Sequence, residues 1–275
     1  MTETPSSYLH AIFLQNFTKS GRRRILPLYL SHDNLQWNSQ PPNSVGAILF
    51  GGRSIGRSYS MTAKLYGFWR SIASFRVRVA LRLKSIPFEE VSIDILSGEQ
   101  FNSDYDRVNT EHVVPTFVHD GHSVFQSLSI MEYLDDIQPD PALLPKDKHE
   151  RAHARALALV AIADSHPLIV PRVRKHLAEA FGADPETVNE WGKHWSSKGL
   201  ATYERLLSRR RPAPFALGLT PTIADICIAG QIVMGTNFKV DMNAFPIVEE
   251  LGRHCFAMPE FSSSHPSRQS GATPH

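Results

Sequence analysis

The segment from Lys64 to Ile95 constrains the fold of this chain more than any other. Lys64–Trp69 (KLYGFW) reads as a short buried strand. Arg70–Ser71 turns the chain, and Ser71–Lys84 follows as a helix. Its apolar Ile72, Phe75, Val79 and Leu83 recur at helical spacing and mark a buried stripe. Pro87 ends that turn, and Phe88–Ile95 alternates as a second strand. A parallel return after one crossover helix is a βαβ unit, which is right-handed in nearly all known cases. Very few topologies can be built around it.

The pattern continues with a polar stretch, Ser97–Asn109, holding a short helix over Asn102–Arg107. Val113–His119 is a third strand with Pro115 near its start. Asp120-Gly121 is a hairpin signal, and Ser123–Gln126 is the returning strand. Ser127 stands where an N-cap belongs, ahead of a helix over Leu128–Ile137. The order β-α-β-(α)-β-β-α predicts a thioredoxin-like α/β domain, with a mixed sheet and helices on both faces. After Leu143-Leu144-Pro145 only helical patterns follow: Lys148–Asp164, Leu168–Ala180, a long one from Pro185 to about Arg210, Thr222–Gly235 and Pro246–Phe256. Asp225, three residues after Thr222, completes a capping-box pair at the start of a buried helix. The expected organisation is an N-terminal extension over 1–62, expected to be disordered, a thioredoxin-like domain over 63–145, an all-α helical domain over 146–269, and a tail over 270–275.

Composition narrows the function classes. A net charge of +2 gives no reason to expect a nucleic-acid or membrane partner. Two distant cysteines, Cys227 and Cys255, form no C-x-x-C, which argues against thiolate metal sites and a disulfide framework and for a reducing, cytoplasmic setting. Residues 1–60 are rich in Arg and Ser and poor in acid, the composition of a transit peptide. They read equally as a plain tail or as sequence ahead of a start at Met61, so a mitochondrial location depends on which holds. His153, His194 and the run Arg209–Arg211 read as solvated helix residues.

Three strand–helix junctions carry chemistry. At Arg70-Ser71 a helix N-terminus offers free N–H groups, a partial positive charge and a hydroxyl, which would favour a bound thiol as its thiolate. On local sequence alone, a simple cap is the favoured reading of Ser71. At Val113-Val114-Pro115 a cis proline would leave the backbone of Val114 free to pair with an extended peptide; an ordinary edge-strand proline is the alternative. At Gln126-Ser127 an amide, a hydroxyl and a helix N-terminus suit a small carboxylate. A thiol, a peptide backbone and a carboxylate are the three parts of glutathione.

With those junctions the sequence resembles the zeta-class glutathione transferases, which include maleylacetoacetate and maleylpyruvate isomerases. Trp69–Leu81 (WRSIASFRVRVAL) looks like the class signature, and the likeness runs on through Gly98–Gln100, Val113–Pro115, Gln126–Leu134, Thr222–Asp225, Phe238–Asp241 and Ser264–Gln269. The resemblance implies that Ser71 activates the thiol of glutathione, the cofactor. It further implies that Ile72, Gln100, Val114, Pro115, Gln126, Ser127 and His166 line the glutathione site, that Arg70 helps hold an acidic substrate, that no metal is needed and that the protein is a homodimer. Isomerases of this family add the thiolate to a cis double bond, allow rotation and expel it. Departures are Ala73 at the signature's cysteine, Ile72 at its second serine, Ile169 and Val170 at a frequent Asn pair, and Asn237 where isomerases often carry an arginine. Cis–trans isomerisation of an enedioic acid is therefore the expected activity. Conjugation of glutathione to electrophiles is the alternative, and a non-catalytic binding module a third reading that Ser71 speaks against.

Overall fold

The computed structural model describes residues 63–210 and 214–272, so the extension over 1–62 lies outside the described residues. Strand β1 (Ala63–Gly67) pairs in parallel with β2 (Phe88–Ser92) and antiparallel with β3 (Thr116–His119), which pairs antiparallel with β4 (His122–Phe125). The sheet order is β2-β1-β3-β4. Strand alternation splits β1 between two faces. Leu65 enters the main core, whereas Tyr66 meets Tyr105 of the short α2 (Ser103–Asp106), ring centres 5.9 Å apart. The hairpin between β3 and β4 turns on Asp120 (φ 52°) and Gly121 (φ 77°), the two positive φ values that an Asp-Gly turn supplies.

Helix α1 (Ile72–Leu83) lies between the sheet, α3 (Ser127–Ile137) and the later helix α7 (Ile223–Asn237). That position explains why it is buried well beyond the predicted stripe, with Arg76 and Arg78 as enclosed as Phe75 and Val79. Lys84, at its end, is buried and donates to Asp135 Oδ1 and to the carbonyls of Gln138 and Pro141, each at 2.6 Å. These contacts tie the end of α1 to the end of α3.

From Lys148 onward every regular element among the described residues is a helix, with one isolated bridge, Phe215–Gly218, in a connecting loop. The helices are α4 (Lys148–Ile162), α5 (Pro171–Phe181), α6 (Pro185–Ser208), α7, α8 (Pro246–Ala257) and α9 (Pro259–Ser262). The fold class is thus a thioredoxin-like sheet layer followed by a helical remainder, sharing one core that runs from Ala63 to Phe261. Helix α7 is apolar all round because α1, α4, α6 and α8 all pack on it. Its start is fixed by Asp225, whose buried carboxylate accepts from Thr222 N (2.8 Å), Thr222 Oγ1 (2.9 Å) and Ala216 N (2.7 Å). Although Lys148–Phe181 reaches the mean hydropathy of a membrane span, it is broken between α4 and α5. Its apolar Ala154, Leu157, Ala158 and Ala161 are spent on the core. Arg210 is exposed at the end of α6, as the sequence predicts, and its guanidinium makes a surface pair with Glu150 of α4 at 2.8 Å.

Candidate active site

Ser71 is the N-cap of α1. Its backbone is extended (φ −70°, ψ 122°), and its Oγ accepts from Ser74 N–H at 3.1 Å. The capping reading and the donor reading are therefore compatible. A hydroxyl that accepts through a lone pair keeps its hydrogen for another partner. The preceding turn is held from below. Phe68 N–H donates to Ser74 Oγ (3.3 Å), and Phe68 C=O accepts from Ser71 N–H (3.0 Å) and from Arg78 Nη2 (2.9 Å), while Arg78 Nε pairs with Glu90 at 2.8 Å. Burial lowers the pKa of Arg78, with Glu90 opposing that shift. Arg78 thus fixes the carbonyl that positions Ser71, a role invisible in the helical periodicity.

The Val114–Pro115 peptide is cis, and among the described residues neither N–H nor C=O of Val114 has a hydrogen-bond partner. Pro115 is buried behind it. The adjoining carbonyl of Val113 accepts from Tyr105 Oη (2.5 Å) and Asn109 Nδ2 (3.1 Å), so α2 and its following turn hold this loop in place.

The third junction differs from expectation. The N-cap of α3 is Gln126, in the left-handed region at φ 67°, and Ser127 is the first helical residue, 3% exposed. Ser127 cannot cap because its hydroxyl is drawn inward, where it accepts from Arg76 Nη1 at 3.3 Å. The Gln126 amide is committed to the Glu111 carboxylate at 2.8 and 3.0 Å. What this helix end offers a carboxylate is its unpaired backbone N–H groups, with the Arg76 charge behind them. Gln100 likewise faces inward. It is 9% exposed, with Nε2 donating to Ile95 C=O at 3.4 Å, while Oε1 has no partner among the described residues.

Ile72 packs with Ile169, Val233 and Met234 in a small cluster flanked by Leu168, Trp191, Trp195 and Phe238. This cluster brings the 3₁₀ turn His166–Leu168 and the start of α5 alongside the N-cap of α1. His166 is partly buried, and its pKa is pushed down to about 3, first by burial and then by the charges of Arg76 and Arg172. It is neutral at physiological pH. Arg76 is 1% exposed, and its Nε and Nη2 have no partner among the described residues; burial lowers its pKa. Arg70 is exposed beside Ser71, and its charge lowers the pKa of Arg174 after the larger effect of burial. Among the described residues none of Arg70, Arg76, Arg172 and Arg174 forms an ion pair. Ser71 thus presents a hydroxyl with arginines that lack an acid partner on its own helix and beside it, while the backbone of Val114 and the start of α3 carry unpaired polar groups among the described residues. No group of three potential metal ligands gathers among the described residues. Two shallow depressions that share Phe256, one along Ile232, Met242 and Arg253 and one along His265 and Arg268, contain none of these residues.

The family profile of the glutathione S-transferase N-terminal domain matches residues 61–136. A maleylacetoacetate isomerase of Dictyostelium discoideum is 35% identical over 212 residues, covering 76% of this chain and 96% of the relative. A holo maleylpyruvate isomerase, described as a bacterial zeta-class glutathione S-transferase, superposes with a TM-score of 0.74 at 33% identity, covering 76% of this chain and 100% of the other. A maleylacetoacetate isomerase of Anaeromyxobacter dehalogenans, with dicarboxyethyl glutathione and citrate in its active site, gives 0.69 at 34% identity, covering 78% and 96%. This chain belongs to the zeta-class glutathione transferases.

Within that class, its two cysteines lie in the core. Both are buried and unpaired, burial pushes the Cys227 thiol up to about 11, and burial raises Cys255 further. Ala73 leaves no thiol beside Ser71. This transferase therefore has no low-pKa cysteine with which to do thiol redox chemistry. Asn237, the last residue of α7, is exposed, and the Phe238 ring beside it lies under Arg174.

Proposed function

We propose that this zeta-class enzyme is a glutathione-dependent cis–trans isomerase of a cis-enedioic acid such as maleylacetoacetate. One observation carries the reading: the Ser71 hydroxyl caps α1 through its oxygen and keeps its hydrogen for a ligand, among arginines that have no acid partner. The residues fit glutathione. Val114 offers an unpaired N–H and C=O to its backbone, and the N-terminus of α3 offers N–H groups to its γ-glutamyl carboxylate. Gln100 Oε1 is a buried acceptor in want of a donor, and Glu111 brings a carboxylate for an ammonium group. Pro115, Gln126 and Ser127 shape these contacts rather than making them through their side chains. Ile72 walls the cleft, and His166 joins it as a neutral imidazole that adds no competing charge.

Bound glutathione supplies a sulfur nucleophile whose reversible addition to a double bond permits rotation about it. The chain's own part is electrostatic. Ser71 and the first N–H groups of α1 stabilise negative charge on that sulfur, and Arg70 orients an acidic substrate beside it. The thiol proton passes to solvent as the thiolate forms; addition, rotation and expulsion then require no further proton transfer, which suits a site without a strong base. The similarity to isomerases, one of them holding dicarboxyethyl glutathione, favours this over conjugation of electrophiles. The wider reading comprises functional parts at 63–145 and 146–269, a homodimer supported by the exposed Phe101 (67%) and Phe125 (48%), and a cytoplasmic setting supported by two unpaired buried cysteines. The test is turnover of maleylacetoacetate with and without glutathione, beside a chloro-substituted acid. Turnover of the enedioate that ignored glutathione, or transfer to the chloro acid with no isomerisation, would overturn the reading.

A further inference from the structure

Helix α5 carries Arg172, Arg174 and Lys175 on a helix with no buried residue. Lys175 is paired along the helix with Glu179 at 3.7 Å. Arg174 is held in another way. Its Nε donates to Ile169 C=O at 3.0 Å, and its guanidinium carbon stands 5.6 Å from the centre of the Phe238 ring. Ile169 belongs to the same packed cluster as Ile72, the residue after Ser71. The guanidinium is therefore tethered to the block that carries the N-cap, over the end of α7 where Asn237 offers only a neutral amide. Its two terminal nitrogens have no hydrogen-bond partner among the described residues, and no carboxylate there pairs with Arg174 or Arg70. The charge of Arg70 adds to the burial that lowers the pKa of Arg174. Two cations kept near each other without an acid are stabilised by an anion that reaches both, and a guanidinium fixed at Nε still presents a planar fork to a carboxylate.

We propose that Arg174 is a specificity-determining residue, whose terminal nitrogens hold the carboxylate of the substrate remote from the reacting carbon while Arg70 faces the nearer one. A dicarboxylate is thereby selected over a monocarboxylate. The proposal rests on the glutathione-site reading above and assigns the cation to α5 rather than to the end of α7.

The test is calorimetric binding of glutathione, S-methylglutathione and S-(1,2-dicarboxyethyl)glutathione to the full chain and to Arg174→Leu, Arg174→Lys and Lys175→Gln variants. The wild type should prefer the dicarboxyethyl ligand over the S-methyl one. In Arg174→Leu its affinity should fall about tenfold to a hundredfold, the range for one charged hydrogen-bonded contact. The other two ligands should bind as before, which also shows that the variant is folded. Arg174→Lys should recover part of the loss, and Lys175→Gln should change nothing. No preference in the wild type, an equal loss for all three ligands, or an equal loss in Lys175→Gln would each overturn the proposal. Wild-type turnover of maleylacetoacetate, measured alongside, separates the two ideas. Its absence sinks the isomerase reading, whereas the binding pattern alone decides the role of Arg174.

Discussion

Replacing Ser71 separates two jobs that one oxygen performs. Its Oγ accepts the Ser74 N–H at 3.1 Å, an ordinary N-cap bond, so Ser71→Ala should lose about 1 kcal/mol of stability. For a chain of this size that is a fall in thermal midpoint of roughly 2–4 °C. The same variant removes the hydroxyl hydrogen. A charge-assisted hydrogen bond to the bound sulfur is worth about 1.5–3 kcal/mol, which is roughly one to two pK units of the thiol. The thiolate-to-thiol ratio should fall by about tenfold to a hundredfold, and the isomerisation rate should fall in the same proportion at pH values below the pKa of the bound thiol. Ser71→Asp caps as well as serine but cannot donate when ionised, so it should keep the stability and lose the thiolate. Ser71→Thr should keep both. The assays are thermal unfolding of each variant and ultraviolet titration of the thiolate of bound glutathione. If Ser71→Ala lost its stability increment while the bound thiol titrated as in the wild type, Ser71 would be a cap and nothing more, and the proposed chemistry would lose its central group.

Three further outcomes follow from the geometry. Asp225→Ala strips the acceptor from two buried N–H groups and one hydroxyl, and should cost about 3 kcal/mol or more in denaturant unfolding; a cost under about 1 kcal/mol would show that water replaces the carboxylate. In Gly199→Ala the added methyl would collide with Gln231 Nε2 and meet Ser165 Oγ at 2.8 Å, so a loss of about 1–3 kcal/mol is expected, and an unchanged midpoint would refute the tight packing of α6 on α7. His166, ordinarily near 6.5, is pushed down to about 3 in the folded chain, so the unfolded chain binds the extra proton between those values. Stability should therefore fall as pH drops below about 6.5, and His166→Gln should flatten that part of the midpoint–pH curve. A curve of the same steepness in the variant would assign the acid sensitivity to other groups.

The element order was legible in sequence because it is written in local signals: the stripe of α1, the Asp-Gly hairpin, the Thr222–Asp225 box and the prolines opening α6 and α8. The ends of strands were not. Phe88–Ile95 narrows to Phe88–Ser92 because pairing with β1 stops at Gly67, which only the partner strand decides. Among the site residues, Ser71 and Val114 stand as their local sequence suggests, since a helix start and a proline-bounded strand start are local facts. Gln100, Gln126 and Ser127 do not. What their side chains face depends on Ile95, Glu111 and Arg76, and Arg76 reaches Ser127 across fifty-one positions of chain. Arginines inside α1 break the apolar period, so nothing in the sequence separates the buried Arg76 from a solvated one. Sequence alone determined where the helix start at Ser71 and the cis-proline strand start at Val114 fall. Tertiary structure decided the charge around them, because the enclosure of a guanidinium and the distance to its nearest acid are set by the packing of α1 between the sheet and α7.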